Sequence, residues 1–371
     1  MLLLALIAGS LVYCVLTVIA ALRYHSVRPP ALTTAVPISV LKPLSGIDDG
    51  LEENLRSFFQ QDYPNFEILF AVRSPADPAI AVAERLRAQY PHVPSRLIVT
   101  GEPPYANAKV YSLDRMLAAA RHDLLVMSDS DIHVTPRMLS VIAAEFQDQR
   151  LGLATCPYRA VPGRSFWTTL EAIGLNTEFI AGVLVARMLE GMKFALGPTI
   201  VARRATLEGI GGFDAVKDFL AEDYVMGNLA AARGDGVILS SYVIEHHIGA
   251  QSFTANLKHR LRWNRSTRRS RPAGYIGQLF TNPLPLALLL CAAQPAWWPV
   301  ASLTLLLRAA AACATAGVVL RDPVTARRCF LLPFQDLLGF AMWLAGFFGN
   351  TIVWRGRKYY LRADGKFESV L

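Results

Sequence analysis

Three long apolar stretches, each followed by arginines, constrain this chain more than any other feature. Residues 1–22 contain no charged side chain, residues 281–320 contain only Arg308, and residues 330–354 contain only Asp336. About 20 apolar residues in a helix cross the roughly 30 Å of bilayer hydrocarbon. The first stretch therefore predicts one membrane span, and the second is long enough for two spans joined by a turn near residues 294–299. The third stretch is a further candidate.

The basic residues that follow these stretches predict their orientation. Arg23 and Arg28 follow the first stretch, and arginines concentrate on the cytoplasmic side of membrane proteins. No basic segment precedes this stretch and no small-residue cleavage site ends it, which predicts an uncleaved anchor. The basic tail after residue 354 conflicts with strict alternation of sides, so one stretch could be re-entrant or interfacial. We expect a multi-pass protein of the cell membrane whose catalytic domain faces the cytoplasm.

The net charge points to anionic partners. At +8, it favours contact with the headgroups of the lipid bilayer and with a phosphorylated substrate. The sequence contains no nucleic-acid-binding motif, so we expect no nucleic acid partner. The five cysteines are scattered and form no CxxC pair, which is typical of packing residues in a reducing compartment.

Between residues 36 and 157, short apolar runs alternate with helical patterns. Phe66–Val72 and Leu124–Met127 read as buried strands, and Val110–Ala120 reads as a helix. Such alternation predicts a mostly parallel sheet with helices on both faces. Ligands of such sheets bind at the carboxyl ends of the strands, where Asp77 and Asp129 are expected. After residue 158 the pattern is less regular, with a strand predicted at residues 237–244 and an amphipathic helix at residues 253–269.

The most specific local signal follows the strand at residues 124–127. Asp129 and Asp131 stand two residues apart in a Ser-Asp-Ser-Asp turn, where two carboxylates can bind a hard divalent cation. Such a cation neutralises a diphosphate leaving group. A solvated turn with an aspartate helix cap is the competing interpretation.

Two further motifs carry candidate chemistry. Glu222 and Asp223 begin a predicted helix, where acids either complement the helix dipole or act as a general base. The basic helix at residues 253–269 favours an anionic bilayer surface. Within it Arg262 can bind a diphosphate bidentately, and the indole of Trp263 can form a pocket wall.

In this order and spacing, the motifs resemble those of the ceramide glucosyltransferases, inverting GT-A glycosyltransferases with a D, D, D, (Q/R)xxRW pattern. The resemblance runs from about residue 38 to the C-terminus. It implies an α/β GT-A fold, with a Rossmann-like, mostly parallel sheet and transmembrane helices near both ends. The implied parts are an anchor at residues 1–22, a catalytic domain at residues 23–275 and a C-terminal membrane region at residues 276–371.

The resemblance also assigns roles at the donor side of the site. Asp77 would contact the uridine of a UDP-sugar, with Lys42, Asn107 and Lys109 nearby. Asp129 and Asp131 would hold the divalent cofactor, Mg²⁺ or Mn²⁺.

Further roles concern the reaction and the acceptor. Asp223, beside Glu222, would remove the proton of a lipid hydroxyl, and Arg262 would stabilise the departing UDP. Trp263 would shape the acceptor site. His259 stands where Gln or Arg is usual in the family.

The implied reaction is glucose transfer from UDP-glucose to the primary hydroxyl of ceramide. Three alternatives stay open from the sequence. A hopanoid glycosyltransferase would use UDP-N-acetylglucosamine with closely similar motifs. A processive polysaccharide synthase would usually need more spans, and a non-catalytic membrane scaffold would not need three intact aspartates.

Overall fold

A seven-stranded sheet forms the centre of the protein, and a computed structural model describes residues 1–354 and 356–370. The strand order is β3-β2-β1-β4-β8-β6-β9, and two small sheets have the orders β5-β10-β7 and β11-β12-β13. The strands are β1 Ile38–Pro43, β2 Phe66–Val72, β3 Ser95–Val99, β4 Leu124–Ser128, β5 Ile132–His133, β6 Leu151–Thr155, β7 Tyr158–Pro162, β8 Thr199–Arg203, β9 Gly236–Leu239, β10 Ile244–Ile248, β11 Thr351–Trp354, β12 Arg357–Leu361 and β13 Phe367–Ser369.

Helices cover the central sheet and form a separate apolar bundle. A π-helical segment, Leu175–Phe179, joins α6 to α7, and another, Cys313–Val319, continues α13. The helices are α1 Leu2–His25, α2 Leu51–Phe59, α3 Ala79–Gln89, α4 Ala108–Ala119, α5 Met138–Glu145, α6 Phe166–Gly174, α7 Ile180–Glu190, α8 Arg204–Gly209, α9 Glu222–Arg233, α10 Phe253–Ser270, α11 Pro272–Gly277, α12 Pro283–Ala293, α13 Trp298–Ala312, α14 Pro323–Arg327 and α15 Leu332–Gly346.

The predicted mostly parallel sheet is confirmed. Strands β1 to β4 run parallel because a helix returns the chain after each of β1, β2 and β3. All seven residues of β2 are buried, as expected for a strand covered on both faces. Strand β8 is antiparallel to both β4 and β6. The carboxyl ends of β1 and β4 therefore lie side by side at one edge.

The single strand predicted at residues 237–244 is wrong. Strand β9 ends at Leu239 in the central sheet, and β10 begins at Ile244 in the sheet with β5 and β7. The buried carboxylate of Glu145 explains the break. It accepts hydrogen bonds from the Ser240 hydroxyl at 2.8 Å and from the Ser241 backbone N–H at 2.7 Å, which turns the chain between the two sheets.

Four helices are long and apolar enough to cross a membrane among the described residues. They comprise α1, the continuous helix Phe166–Glu190, the helix Pro295–Val319 and the helix Cys329–Gly346. A bent pair, Pro272–Thr281 and Pro283–Ala293, forms a further broken or re-entrant candidate, with a bend of 57°. Helix α7 packs against α1, and α6 packs against α15, so the helix Phe166–Glu190 forms part of the apolar bundle.

The apolar stretch at residues 330–354 does not form one uninterrupted span. Helix α15 ends at Gly346, and the chain continues into β11. Both ends of α15 are held by the rest of the protein: Arg328 donates to the Thr169 hydroxyl at 2.8 Å, and Arg268 donates to the Gly349 carbonyl at 2.7 Å.

The C-terminal tail packs on the region around the central sheet. Strand β13 follows a bridge between Lys366 and Phe219, and the apolar core of the tail packs on Leu220 and Ala106. The basic tail and the central sheet are therefore on one side of any membrane the bundle crosses, in agreement with the charge of the tail. Arg355 of this tail lies outside the described residues.

Candidate active site

A network of partly buried charged side chains joins three of the predicted site residues at the carboxyl end of β4. The Lys109 ammonium lies 2.8 Å from Asp129 Oδ1 and 3.3 Å from Glu222 Oε1. It also donates to the Gly197 carbonyl at 3.4 Å. Burial opposes its charge, but the carboxylates of Asp129 and Glu222 outweigh burial and raise the pKa of Lys109. Lys109 therefore stays charged and ties the β4 turn to the start of α9.

Asn107 supports this network from the start of α4. Its side-chain oxygen caps the helix by accepting from the Val110 N–H at 3.2 Å. Its amide nitrogen donates to the Phe219 carbonyl at 2.8 Å and to Glu222 at 3.4 Å. Asn107 is fully buried, so it holds Glu222 against the start of α4.

Asp223 lies beside the same network. A Cβ built on Gly197 would lie 3.0 Å from Asp223 Oδ2, so Asp223 approaches the backbone that also holds Lys109. Burial first, and then the charge of Glu222, raises the pKa of Asp223 to about 7. A carboxylate with such a pKa is suited to accept a proton near neutral pH.

His246 of β10 is a further site residue, which the sequence pattern does not indicate. Its Nε2 lies 3.2 Å from Asp131 Oδ2, while Asp131 Oδ1 is buried without a hydrogen-bond partner. Burial opposes the charge of His246, but the carboxylate of Asp131 outweighs it and raises the pKa of the imidazole. An unsatisfied buried oxygen is costly unless a ligand completes it.

The Asp129–Asp131 turn therefore fits a divalent cation. Carboxylate oxygens from both aspartates, with an imidazole nitrogen beside them, are the ligand types that Mn²⁺ accepts, and the carboxylates also suit Mg²⁺. The buried Asp131 Oδ1 is the atom that such an ion would satisfy.

A second group with metal-ligand chemistry lies on the other face of β10. Successive residues of a strand face opposite sides, so Glu245 and His247 point away from the side of His246. With His133 of β5 they bring three ligand atoms within 4.8 Å of one another. Glu245 is also paired with Arg159, so its charge is already balanced.

A row of aromatic rings connects the Asp129–Asp131 turn, here called the metal turn, to α10. The ring of His246 meets Tyr158 at 5.4 Å, Tyr158 stacks on Phe179 at 5.6 Å, and Phe179 meets Trp263 edge-on at 6.0 Å. Trp263 also meets His259 at 5.7 Å. The last predicted motif is thereby brought to the same region as Asp131.

His259 is held in one orientation from α6. Its Nδ1 lies 2.7 Å from Glu171 Oε1, and Asn256 on α10 donates to the other oxygen of Glu171. The Nε2 side of His259 is thereby directed away from Glu171. Arg262 precedes Trp263 on the same helix.

Three other arginines of α10 hold the protein together. Arg265, Arg268 and Arg269 donate to backbone carbonyls and to the Asn350 side chain where α15 ends and β11 begins. They satisfy carbonyl groups that a helix end leaves without partners. Contact of α10 with a bilayer surface stays a prediction.

Two predicted donor-site residues are occupied by contacts within the protein. Lys42 is fully buried, with its ammonium 3.9 Å from the centre of the Phe58 ring and bonded to the Asp129 carbonyl, and burial lowers its pKa to about 7. Asp77 is partly exposed just before α3, and its carboxylate accepts from the Ala79 N–H at 2.9 Å and from the Gly46 N–H at 3.0 Å. Uridine contacts of both residues stay predictions.

Solved structures confirm the GT-A fold. Mannosyltransferase PcManGT from Pyrobaculum calidifontis, in complex with GDP-Man and Mn²⁺, aligns with a TM-score of 0.57 at 20% identity. The alignment covers 93% of this chain and 96% of that one. A likeness at this identity establishes the fold alone.

Curated relatives and a family profile establish the kinship. Ceramide glucosyltransferase 1 of Caenorhabditis elegans is 30% identical over 221 residues, which are 59% of this chain and 47% of that protein. Ceramide glucosyltransferase 3 of the same organism is 26% identical over 269 residues, which are 70% and 58% respectively. This chain thus spans about half the length of these relatives. Because the profile of glycosyl transferase family 21 matches residues 2–367, the chain belongs to that family.

Proposed function

We propose that this protein is an inverting lipid glycosyltransferase that moves glucose from UDP-glucose to the primary hydroxyl of ceramide. The observation that carries the proposal is the meeting of Asp129, Lys109 and Asp223 at the end of β4, where Asp223 has a pKa of about 7. The ceramide glucosyltransferases among the relatives favour this substrate pair over the hopanoid and polysaccharide alternatives.

The cofactor of the proposal is Mg²⁺ or Mn²⁺. Asp129 and Asp131 would hold the ion, with His246 as a further ligand, and the unsatisfied Asp131 Oδ1 supports this assignment. When bound, the ion neutralises the negative charge that develops on the departing diphosphate. Lys109 keeps Asp129 in position through their ion pair.

Asp223 is the proposed general base. It takes the proton of the acceptor hydroxyl while the hydroxyl oxygen bonds to C1 of glucose and the bond from C1 to the UDP oxygen breaks. UDP leaves with that electron pair, and Arg262 pairs with its diphosphate. A single displacement inverts C1, so the α-linked donor yields a β-glucoside without a covalent enzyme intermediate.

The proposed acceptor approaches from the bilayer. The apolar helices pack directly on the catalytic domain through α6, α7 and α10, so a lipid can reach the site while its chains stay in hydrocarbon. The proposed location is the cell membrane, with several spans and the catalytic domain in the cytoplasm.

The direct test supplies purified protein in detergent with UDP-glucose and ceramide, and detects glucosylceramide by mass spectrometry. We expect UDP release that requires ceramide and stops with EDTA. UDP-N-acetylglucosamine with a hopanoid serves as the competing pair. Product only from that pair, or no product from either, would disprove the proposal.

A further inference from the structure

A cavity of about 640 Å³ lies behind the candidate active site. Glu245 of β10 lines this cavity, whereas the next residue, His246, faces Asp131. Successive strand residues face opposite sides, so the cavity and the metal turn are on different faces of the small sheet. None of the proposed catalytic residues lines this cavity.

The cavity wall is strongly basic. Four arginines line it, Arg28, Arg137, Arg159 and Arg321. Glu245 is the only carboxylate among its described lining residues, and Arg159 pairs with it. The other three arginines have no carboxylate partner among the residues the structure describes, so the cavity carries an excess of positive charge.

The cavity opens where two candidate spans end. Its walls include Tyr24 and His25 at the end of α1, and Val319 and Leu320 at the end of the helix Pro295–Val319. Residues at the ends of spans lie at the level of lipid headgroups.

The ends of these helices are fixed to the catalytic domain. The Tyr24 hydroxyl donates to the Ser240 carbonyl. Arg159 donates to the carbonyls of Leu320 at 3.3 Å and Arg321 at 3.0 Å. Arg321 has a φ of +50°, which is uncommon for a residue other than glycine. The cavity therefore has a wall that is held in place.

We propose that this cavity binds the phosphate group of an anionic phospholipid. The arginines would hold the phosphate, since guanidinium groups bind phosphate oxygens bidentately. The apolar side chains of Val27, Val141 and Val319 would contact the beginning of the acyl chains. A soluble phosphate ester has the same chemistry, but the position at the ends of two spans favours the lipid. This inference does not rest on the proposed reaction.

The test is native mass spectrometry of the delipidated full-length protein in detergent. Three probes are titrated: phosphatidylglycerol, phosphatidylcholine and glycerol 3-phosphate. We expect one phosphatidylglycerol to bind about tenfold or more tightly than phosphatidylcholine. The double variant Arg137→Gln/Arg321→Gln should lose that preference.

The matched control is Arg23→Gln/Arg327→Gln, which removes two charges from exposed arginines outside the cavity. It should bind like the wild type. The variant Arg137→Lys/Arg321→Lys keeps the charges and should retain most of the preference, which separates loss of charge from misfolding. Binding of glycerol 3-phosphate that the Gln variant loses would support the site and identify a soluble ligand. Equal loss in the control, or no preference for phosphatidylglycerol, would overturn the proposal.

Discussion

The chemistry proposed for Asp223 depends on the surroundings of its carboxylate. An aspartate in water has a pKa near 4 and is a poor base. In this protein burial and the charge of Glu222 raise the pKa of Asp223 to about 7. A general base is most efficient when its pKa lies near the pH at which the enzyme works.

Replacing the proposed base should abolish turnover without abolishing donor binding. For Asp223→Asn we expect UDP release to fall about 10²- to 10⁴-fold, the usual contribution of a general base. Binding of UDP-glucose, measured by calorimetry with Mn²⁺, should stay within a few-fold. The control is Asp214→Asn, which replaces an exposed aspartate that pairs with Lys217. Near-normal turnover of Asp223→Asn would show that another group acts as the base.

The same residue predicts a pH dependence. The base acts only when deprotonated, and its pKa of about 7 lies above its ordinary value. We expect kcat/KM to level off above pH 7 and to fall towards tenfold for each pH unit below it. A rate measured from pH 5 to 9 that stays flat between pH 5 and 7 would contradict the assignment.

The proposed ligands of the metal turn can be tested by measuring Mn²⁺ binding directly. Asp131→Asn removes one charge from the proposed ligand set, and His246→Ala removes the neighbouring imidazole. Both variants should weaken Mn²⁺ binding, followed by electron paramagnetic resonance, by about tenfold or more. His247→Ala, on the opposite face of β10, is the control for His246. Unchanged Mn²⁺ binding in both variants would place the metal elsewhere.

At the scale of elements, a buried ion pair holds the apolar helices together. Arg308 of α13 donates to both carboxylate oxygens of Asp336 on α15, each at 2.8 Å. Two further donors reach the carbonyl and hydroxyl of Thr177 between α6 and α7. Both charged side chains are almost completely buried, so either one alone would be an uncompensated charge.

Replacing one partner of this ion pair should destabilise the protein more than replacing both partners. We expect Asp336→Leu alone to lower the free energy of unfolding by about 3–5 kcal/mol, because Arg308 stays buried without its partner. The double variant Arg308→Met/Asp336→Leu should recover most of that loss. Thermal unfolding in detergent measures both. Equal stability of the single and double variants would mean that the charges are not coupled.

At the scale of the whole molecule, the arrangement of helices and tail predicts sidedness. The tail contacts the catalytic domain through Phe219 and Lys366, whereas the turn between α12 and α13 begins the helix Pro295–Val319, at the opposite end from Val319. A cysteine added by Ala88→Cys or by Ala363→Cys should react with an impermeant maleimide from the same side of the membrane in both variants. Ala296→Cys should react only from the opposite side.

The wild-type chain, with its five cysteines, provides the background labelling for that experiment. Labelling of positions 88 and 363 from opposite sides would show that the tail leaves the catalytic domain in the membrane. Labelling of position 296 from the same side would show that the helix Pro295–Val319 does not cross.

Local patterns were sufficient wherever neighbouring residues decide the structure. Phe66–Val72 was predicted as a strand with its observed bounds, because a continuous apolar run suits a strand buried on both faces. The sequence alone also indicates the first candidate span and the turn at Asp129–Asp131, since all of their determinants lie within a short segment. The strand predicted at residues 237–244 failed because the carboxylate that breaks it, Glu145, is distant in sequence.

The amino-acid sequence alone determined the βαβ order, the apolar helices and the positions of the aspartate motifs, because periodicity and spacing are local properties. Only the tertiary structure decided that His246 stands beside Asp131, which is 115 residues away, and that partial burial and the charge of Glu222 raise the pKa of Asp223 to about 7. It also placed the basic tail on the catalytic domain. Burial and proximity between distant segments arise from packing, and no short stretch of sequence contains them.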